Sequence, residues 1–213
     1  MIKKTSTIIL SIFLFMLISN NAYANLLEQK LDESTLKALL NKGELVLLEE
    51  ENGRIKHIDY AILINAPLDN VWQVITDFES YPEFIPGQKV SKIIDRQGNA
   101  EMVKSAVEFK FMGVGSTVKY TTKYIINKPE LMTFDTKKNK VTGRYKLIQI
   151  DGGKHVVLFR SKDIDRDNFK GVVKILINKK PEMESSLYLS PLRINMKAIK
   201  KRAERSYKKR KLR

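Results

Sequence analysis

The spacing of hydrophobic residues changes several times along this chain, and each change marks an element. Thr7 to Ile18 is an almost unbroken apolar run of 12 residues. Leu31, Leu36, Leu39 and Leu40 then recur at helical spacing and predict a short helix over Asn25–Lys42, stopped at Gly43. Glu44–Glu51 and Arg54–Asn65 are strand-like, and Asn52-Gly53 between them is a strong hairpin signal. Ile58, Tyr60, Ile62 and Ile64 alternate along the second strand, which predicts one buried face. After Ala66-Pro67, Asp69 is placed to cap a helix whose apolar face is Val71, Trp72, Ile75 and Phe78. Trp72 is read as core. The segment Tyr81-Pro82-Glu83-Phe84-Ile85-Pro86 is too rich in proline for a long helix and predicts a bend.

From Lys89 to Lys162 the period is two. Ser105, Val107, Phe109 and Phe111 share one face, as do Val118, Tyr120, Thr122, Tyr124 and Ile126. Gly143, Tyr145, Leu147 and Gln149 do the same, and His155, Val157, Phe159 and Ser161 are expected to oppose Arg160 and Lys162. Turns are expected at Gln97-Gly98-Asn99, Met112-Gly113, Lys137 to Asn139 and Asp151-Gly152-Gly153. Short turns between successive strands predict an antiparallel meander with a covered side. Phe169–Asn178 reads equally as a short helix or a last strand. Ser190-Pro191 is a predicted helix start, and Leu192, Met196, Ile199, Ala203 and Tyr207 form a stripe on a helix to about Lys209. The order is hairpin, helix, meander, long C-terminal helix: one α+β domain in which a curved antiparallel sheet grips a long helix.

The N-terminal run changes the expected address. Lys3 and Lys4 precede it, Ser19, Asn20 and Asn21 end it, and Ala22-Tyr23-Ala24 supplies a small-x-small cleavage pattern. A membrane-spanning helix needs about 20 apolar residues, so the expectation is an export signal cleaved after Ala24, with the periplasm as destination. No later segment is long and apolar enough to span a bilayer, so the 189 residues that remain are expected to be soluble. With no cysteine, neither disulfides nor lipid attachment at an N-terminal cysteine is available.

Formal charge is +15, or +13 once Lys3 and Lys4 are removed. Such a balance usually points to nucleic acid, but export argues against that partner and in favour of anionic lipid headgroups. A basic surface that is merely solvated is the bland alternative. The charge culminates in a tail, Lys200 to Arg213, with nine basic residues against Glu204. Lys200, Lys201, Arg202, Arg205, Lys208, Lys209, Arg210 and Lys211 are candidates for contact with an anionic membrane; a frayed solvated terminus is the alternative.

Catalytic chemistry is sparse. His57 and His155 lie far apart, and neither sits in a motif. Asp163, Asp165, Asp167 and Asn168 imitate the start of a calcium loop, but the sixth and twelfth positions are Asn168 and Lys174 instead of glycine and glutamate. A polar turn is the expectation, and no metal or cofactor is expected.

The stretch AILINAPLDNVWQVITDFESYPEFIPG, Ala61 to Gly87, resembles the opening of the START-like superfamily, also called SRPBCC. The matching features are Ala66-Pro67, Val71-Trp72, Asp77-Phe78-Glu79 and Tyr81-Pro82; GRYKLIQIDGG, Gly143 to Gly153, resembles its central strand and tight turn. The superfamily includes polyketide cyclases and aromatases, coenzyme Q-binding START proteins and lipid-transfer domains. The resemblance covers roughly Arg54 to Glu204 and implies the helix-grip fold, with an apolar cavity between sheet and helix. The expected organisation is a signal over 1–24, an N-terminal helix and first hairpin strand over 25–53, a ligand-binding domain over 54–204 and a basic tail over 205–213. The cavity candidates are Tyr81, Phe84, Phe109, Phe111, Tyr120, Tyr124, Tyr145, His155, Phe159 and Met196, with Tyr81 and Phe84 at the mouth. The tyrosines and His155 offer polar handles on apolar bodies, although the same residues would fill a dry core equally well. The expected function is noncatalytic binding or transfer of a hydrophobic or lipid-like ligand by a monomer. The alternatives are a cyclase- or aromatase-like enzyme, for which no inward carboxylate is identified, and a protein-docking module.

Overall fold

The computed structural model describes residues 32–111, 114–127, 130–136, 141–164 and 184–212. The export signal, residues 25–31, the expected turns at Met112-Gly113 and Lys137 to Asn139, Asp165, Asp167, Asn168 and the ambiguous segment Phe169–Asn178 lie outside the described residues.

Helix α1 (Glu33–Lys42) opens at Asp32, whose carboxylate accepts the Thr35 amide at 2.9 Å and the Thr35 hydroxyl at 2.7 Å. These bonds satisfy a donor that the helix itself leaves free. Strands β1 (Leu45–Glu51) and β2 (Arg54–Ile64) form the expected hairpin. Asn52 and Gly53 both take positive φ, 54° and 69°, which matches the twist of the flanking strands.

Helix α2 (Leu68–Thr76) follows. Its N-cap is the extended Pro67, not Asp69; Asp69 stands in the first turn, where its charge complements the helix dipole. A 3-10 turn (Phe78–Ser80) and a single helical turn, α3 (Tyr81–Phe84), carry the aromatic bend.

The meander runs β3 (Gln88–Gln97), β4 (Ala100–Phe111), β5 (Val114–Asn127), β6 (Leu131–Thr136), β7 (Val141–Ile150) and β8 (His155–Asp163). The eight described strands form one antiparallel sheet in the order β1-β2-β8-β7-β6-β5-β4-β3. The return of β8 to pair with β2 makes β8 an interior strand, third from the β1 edge, between β2 and β7.

Helix α4 (Glu184–Lys211) lies across one face of the sheet, here the inner face. Leu192, Met196, Ile199 and Ala203 are buried there, as the stripe predicted. Its expected start at Ser190-Pro191 is corrected: the helix already runs at Glu184, and Pro191 lies inside it. Pro191 removes one backbone hydrogen bond, and burial of Tyr188 on one side of it and Leu192 on the other holds the helix together. The helix is latched along its length. Asn70 Nδ2 donates to the Ala203 carbonyl at 2.8 Å, Lys200 Nζ to the Leu63 carbonyl at 2.7 Å, and the Asn65 amide to Glu204 Oε1 at 3.0 Å. Helix α1 covers the opposite, outer face, where Leu36 and Leu40 pack on Ala61, Leu63, Val157 and Phe159.

Candidate functional site

Five aromatic side chains meet in a row on the inner face. Phe78 and Tyr81 are 5.6 Å apart edge to face, and Phe78 stacks on Tyr124 at 4.3 Å. Tyr124, Phe134 and Tyr145 continue the row at 6.2 and 5.7 Å. Gly143 makes room for it, because a Cβ there would meet Phe134 Cζ at 2.5 Å and the Ser161 carbonyl. Burial raises the Tyr81 and Tyr124 phenols well above their ordinary range and raises Tyr145 as well, so all three remain neutral. Tyr120 joins them with a hydrogen bond to Ser105, and Thr122 bonds Thr136 across the strands at 3.0 Å.

The row is packed ring on ring near α4. Towards β3–β5 its neighbours Ile93, Tyr120, Tyr124 and Ile126 are only half-buried by the described residues. At the other side, between β1, β2 and α4, lies a cleft of about 360 Å³ lined by Glu44, Val46, Tyr60, Ser185, Ser186, Leu189, Ser190 and Arg193. Among the described residues the buried Tyr60 hydroxyl has no hydrogen-bond partner. Burial first, and the charge of Glu44 second, push its pKa up to about 12.

The structure brings Tyr120, Tyr124 and Tyr145 to the inner face as expected, and Met196 of α4 is fully buried against that face. Tyr81 is core instead of mouth: its hydroxyl donates to the Ile75 carbonyl at 2.6 Å. Phe84 packs at the margin, edge-on to Tyr81 and beneath Arg202. The side chains of Phe109 and Phe111 lie outside the described residues.

His155 and Phe159 are corrected to the other face. Phe159 is buried on the outer face with Val157 under α1. His155 Nδ1 meets Asp151 Oδ2 at 2.6 Å; Lys37 of α1 reaches the same carboxylate at 2.6 Å, and Glu33 accepts the Asp151 amide at 2.8 Å. An acid therefore does stand beside His155, but the pair docks α1 and faces away from the inner face. The reason is register: Arg160 lies between Tyr60 on β2 and Tyr145 on β7, both inward, so Arg160 and Lys162 point inward too.

Both cations were expected to be solvent-facing. Arg160 lies over the rings of Tyr145 at 4.8 Å and Phe134 at 5.5 Å, and its Nη1 donates to Asn195 Oδ1 of α4 at 3.0 Å. Lys162 Nζ sits over the Tyr188 ring at 5.5 Å. Glu101 was missed as well. It faces Tyr124 across β4 and β5, on the inner side, with Oε1 paired to Arg96 at 3.2 Å and Oε2 buried without a partner. The sequence signal for all three was the strand register, not the residue type.

The outer face carries a closed polar network. His57 Nδ1 meets Asp163 Oδ1 at 2.6 Å, and its Nε2 meets Asp59 Oδ1 at 3.1 Å; Asp59 also accepts from Ser161, and Asp163 from Thr142 at 3.1 Å. The two carboxylates raise His57 to about 9, and His57 in turn lowers Asp163. Ser161 bonds Asp59 and not the imidazole, so the order needed to activate a serine is missing from this network.

The basic tail is the last part of α4. Arg202 pairs with Glu83 at 3.0 Å, Arg210 donates to Gln73 at 2.5 Å, Lys211 lies over Tyr207 at 4.8 Å, and Lys200 is held as described. Lys201, Arg205, Lys208 and Lys209 are exposed, the first three along a shallow groove of about 230 Å³.

Comparison with known proteins agrees with this architecture. The fold matches the Zhui aromatase/cyclase from Streptomyces sp. R1128 with a TM-score of 0.58 at 17% identity, over 70% of this chain and 94% of that one. It matches a STAR-related lipid transfer protein from Xanthomonas axonopodis at 0.54 and 13%, over 76% and 94%. Human STARD10 matches at 0.52 and 15%, over 84% and 83%. No curated protein matches the chain by sequence. The family model described as polyketide cyclase / dehydrase and lipid transport matches residues 64–187, more than half of the chain. With the sheet, the gripped helix and the inner aromatic face in place, the chain belongs to this family, within the START-like superfamily.

Proposed function

We propose that the protein binds and transfers a hydrophobic or lipid-like ligand in the cell envelope, without covalent chemistry. The observation that carries this reading is the aromatic inner face, closed by α4 at one end and only half-buried by described residues at β3–β5. Burying apolar ligand surface there supplies about 25 cal/mol per Å². The test is native mass spectrometry and lipid extraction of the purified mature protein. A co-purified apolar molecule that protects Tyr124 from surface labelling is the expected result; an empty protein that also fails to take up added lipid sinks the reading.

Export is part of the proposal and rests on the N-terminal run and its cleavage pattern. N-terminal sequencing of the protein from a periplasmic extract is expected to begin at Asn25. Membrane contact is assigned to Lys201, Arg205, Lys208 and Lys209, which recur at one-turn spacing along exposed α4. Each adds about 1 kcal/mol near an anionic surface. Replacing all four by glutamine is therefore expected to weaken binding to phosphatidylglycerol vesicles by more than about tenfold at low salt. Equal binding of the unmodified protein to neutral and anionic vesicles removes this part of the proposal.

Glu101 favours a second reading, acid–base catalysis on an apolar substrate, because its free oxygen is buried on the inner face. If a substrate is found, Glu101→Gln separates the two readings: it abolishes turnover in an enzyme and leaves carrier affinity intact.

A further inference from the structure

Arg160 and Lys162 stand two residues apart on the inner side of β8, an interior strand of the sheet. Their contacts are two aromatic rings and one amide oxygen for Arg160, and one aromatic ring for Lys162. Among the described residues no carboxylate lies within ion-pairing distance of either. Among the described residues Arg160 Nε is buried with no hydrogen-bond partner. A cation removed from water and left without an anion is unfavourable, and folded proteins ordinarily pair it. Here the described compensation is the negative faces of the rings and, for Arg160, the Asn195 amide oxygen, both weaker than an ion pair.

The surroundings are those of an anion site. Tyr60, whose hydroxyl is unpartnered among the described residues, is the cross-strand neighbour of Arg160 and lines the cleft of about 360 Å³ between β2 and α4. Ser185, Ser186 and Ser190 line the same cleft from α4; Arg160 and Lys162 are not among its lining residues and adjoin it only through Tyr60. Glu44, the acid in this cleft, is already neutralised by Arg193 and by Lys197 at 3.3 Å. Burial first, and the charge of Arg160 second, bring Lys162 down to about 8, as expected of positive charge held partly out of water with no counter-ion among the described residues. The aromatic row, which takes an apolar body, begins directly beneath Arg160 at Tyr145 and Phe134.

We propose that Arg160 and Lys162 form an anion subsite at the end of the aromatic row, so that the ligand is an acidic amphiphile: an apolar body ending in a carboxylate or phosphate. Arg160 presents a planar fork suited to an oxyanion, Lys162 adds a point charge, and Tyr60, a cross-strand neighbour of Arg160, carries a neutral hydroxyl. This inference rests on the apolar-ligand reading above and narrows it from any hydrophobic molecule to one with an acidic head.

The test uses the mature protein and four sixteen-carbon probes: palmitic acid, hexadecyl phosphate, hexadecanol and methyl palmitate. Affinity is read by displacement of a fluorescent lipid. The acids are expected to bind at least about tenfold tighter than the alcohol and the ester, the scale of one charge-assisted hydrogen bond. Lys162→Gln and Arg160→Gln are expected to bring all four probes to within about threefold of one another, chiefly by weakening the two acids. Lys162→Gln serves where Arg160→Gln loosens the packing, and circular dichroism verifies that each variant is folded. Palmitate ahead of hexadecyl phosphate assigns a fatty-acid-like head, and the reverse order a phospholipid-like head. Equal affinity of the unmodified protein for acid and alcohol overturns the subsite and leaves the apolar-ligand reading standing. Failure to bind any of the four overturns both.

Discussion

The two faces of β8 hold their charged groups in opposite ways. On the outer face His57 has a carboxylate at each ring nitrogen, and each carboxylate has a further hydroxyl donor. On the inner face, one residue away along the same strand, Arg160 and Lys162 have rings and an amide but no described acid. Buried polar groups are nearly always satisfied within the protein. A closed network therefore marks a structural role, and an open one marks a place where something else completes it. The outer network ties β2 to β8 through His57–Asp163 and Asp59–Ser161, and α1 is docked separately by Lys37, Asp151 and His155.

The contrast can be broken most severely at Gly143. A side chain there collides with the Ser161 carbonyl and with Phe134, the ring beneath Arg160. Gly143→Val is expected to lower stability by about 3 kcal/mol or more, seen as a shifted urea midpoint. Wild-type stability in this variant would mean that Phe134 is free to move and the row is not rigid.

Phe159→Ala comes next. It empties the outer pocket beneath Leu36 and Leu40 and is expected to cost about 3 to 4 kcal/mol. Because Phe159 faces away from α4, the folded variant should take up ligand like the unmodified protein. Loss of ligand affinity at matched stability would place Phe159 in the site after all.

The His57 network should leave a pH signature of intermediate size. The folded-state pKa of His57, about 9, lies above its ordinary value of 6.5, so its contribution is fully present below about pH 6.5 and disappears as pH rises through 9. With allowance for solvent screening this amounts to about 1 to 2 kcal/mol. Asp163 acts in the opposite sense: its pKa is lowered, so its contribution is present above its unfolded value of 3.8 and is lost as pH falls further. Urea midpoints measured from pH 5 to 10 should therefore decline on the alkaline side, and His57→Gln should flatten that decline. An unchanged slope in the variant would assign the decline to other groups.

The smallest effect is expected at His155. Its bond to Asp151 is partly exposed, so His155→Ala should cost no more than about 1 kcal/mol and leave ligand affinity unaltered. A specific loss of affinity in a titration with the same sixteen-carbon probes would return His155 to the functional site.

Much of this architecture was legible in the order of residues. The Asn52-Gly53 hairpin, the alternation along β5 and β7, and the stripe Leu192, Met196, Ile199 and Ala203 on α4 are local patterns, and local patterns survive folding; β2, expected to bury one face, is buried on both from His57 to Ile64. Three readings failed for a shared reason. Ser190-Pro191 has the form of a helix start, but burial of Tyr188 extends α4 past it. Glu101 resembles a surface charge until its register opposite Tyr124 turns it inward. His155 and Phe159 alternate as an inward face should, yet β8 is an interior strand and is covered on both sides, so alternation cannot say which side is which.

The amino-acid sequence by itself determined the elements, their antiparallel order and the helix to be gripped, because each is written in spacing over ten to thirty residues; the superfamily came from the resemblance of Ala61–Gly87 and Gly143–Gly153 to its motifs. Only the tertiary structure decided that β8 turns Arg160 and Lys162 inward. That choice depends on pairing with Tyr60 and Tyr145, one of them a hundred residues away. A one-residue change in that register would have exchanged the cations for His155 and Phe159, and with them the chemistry of the site.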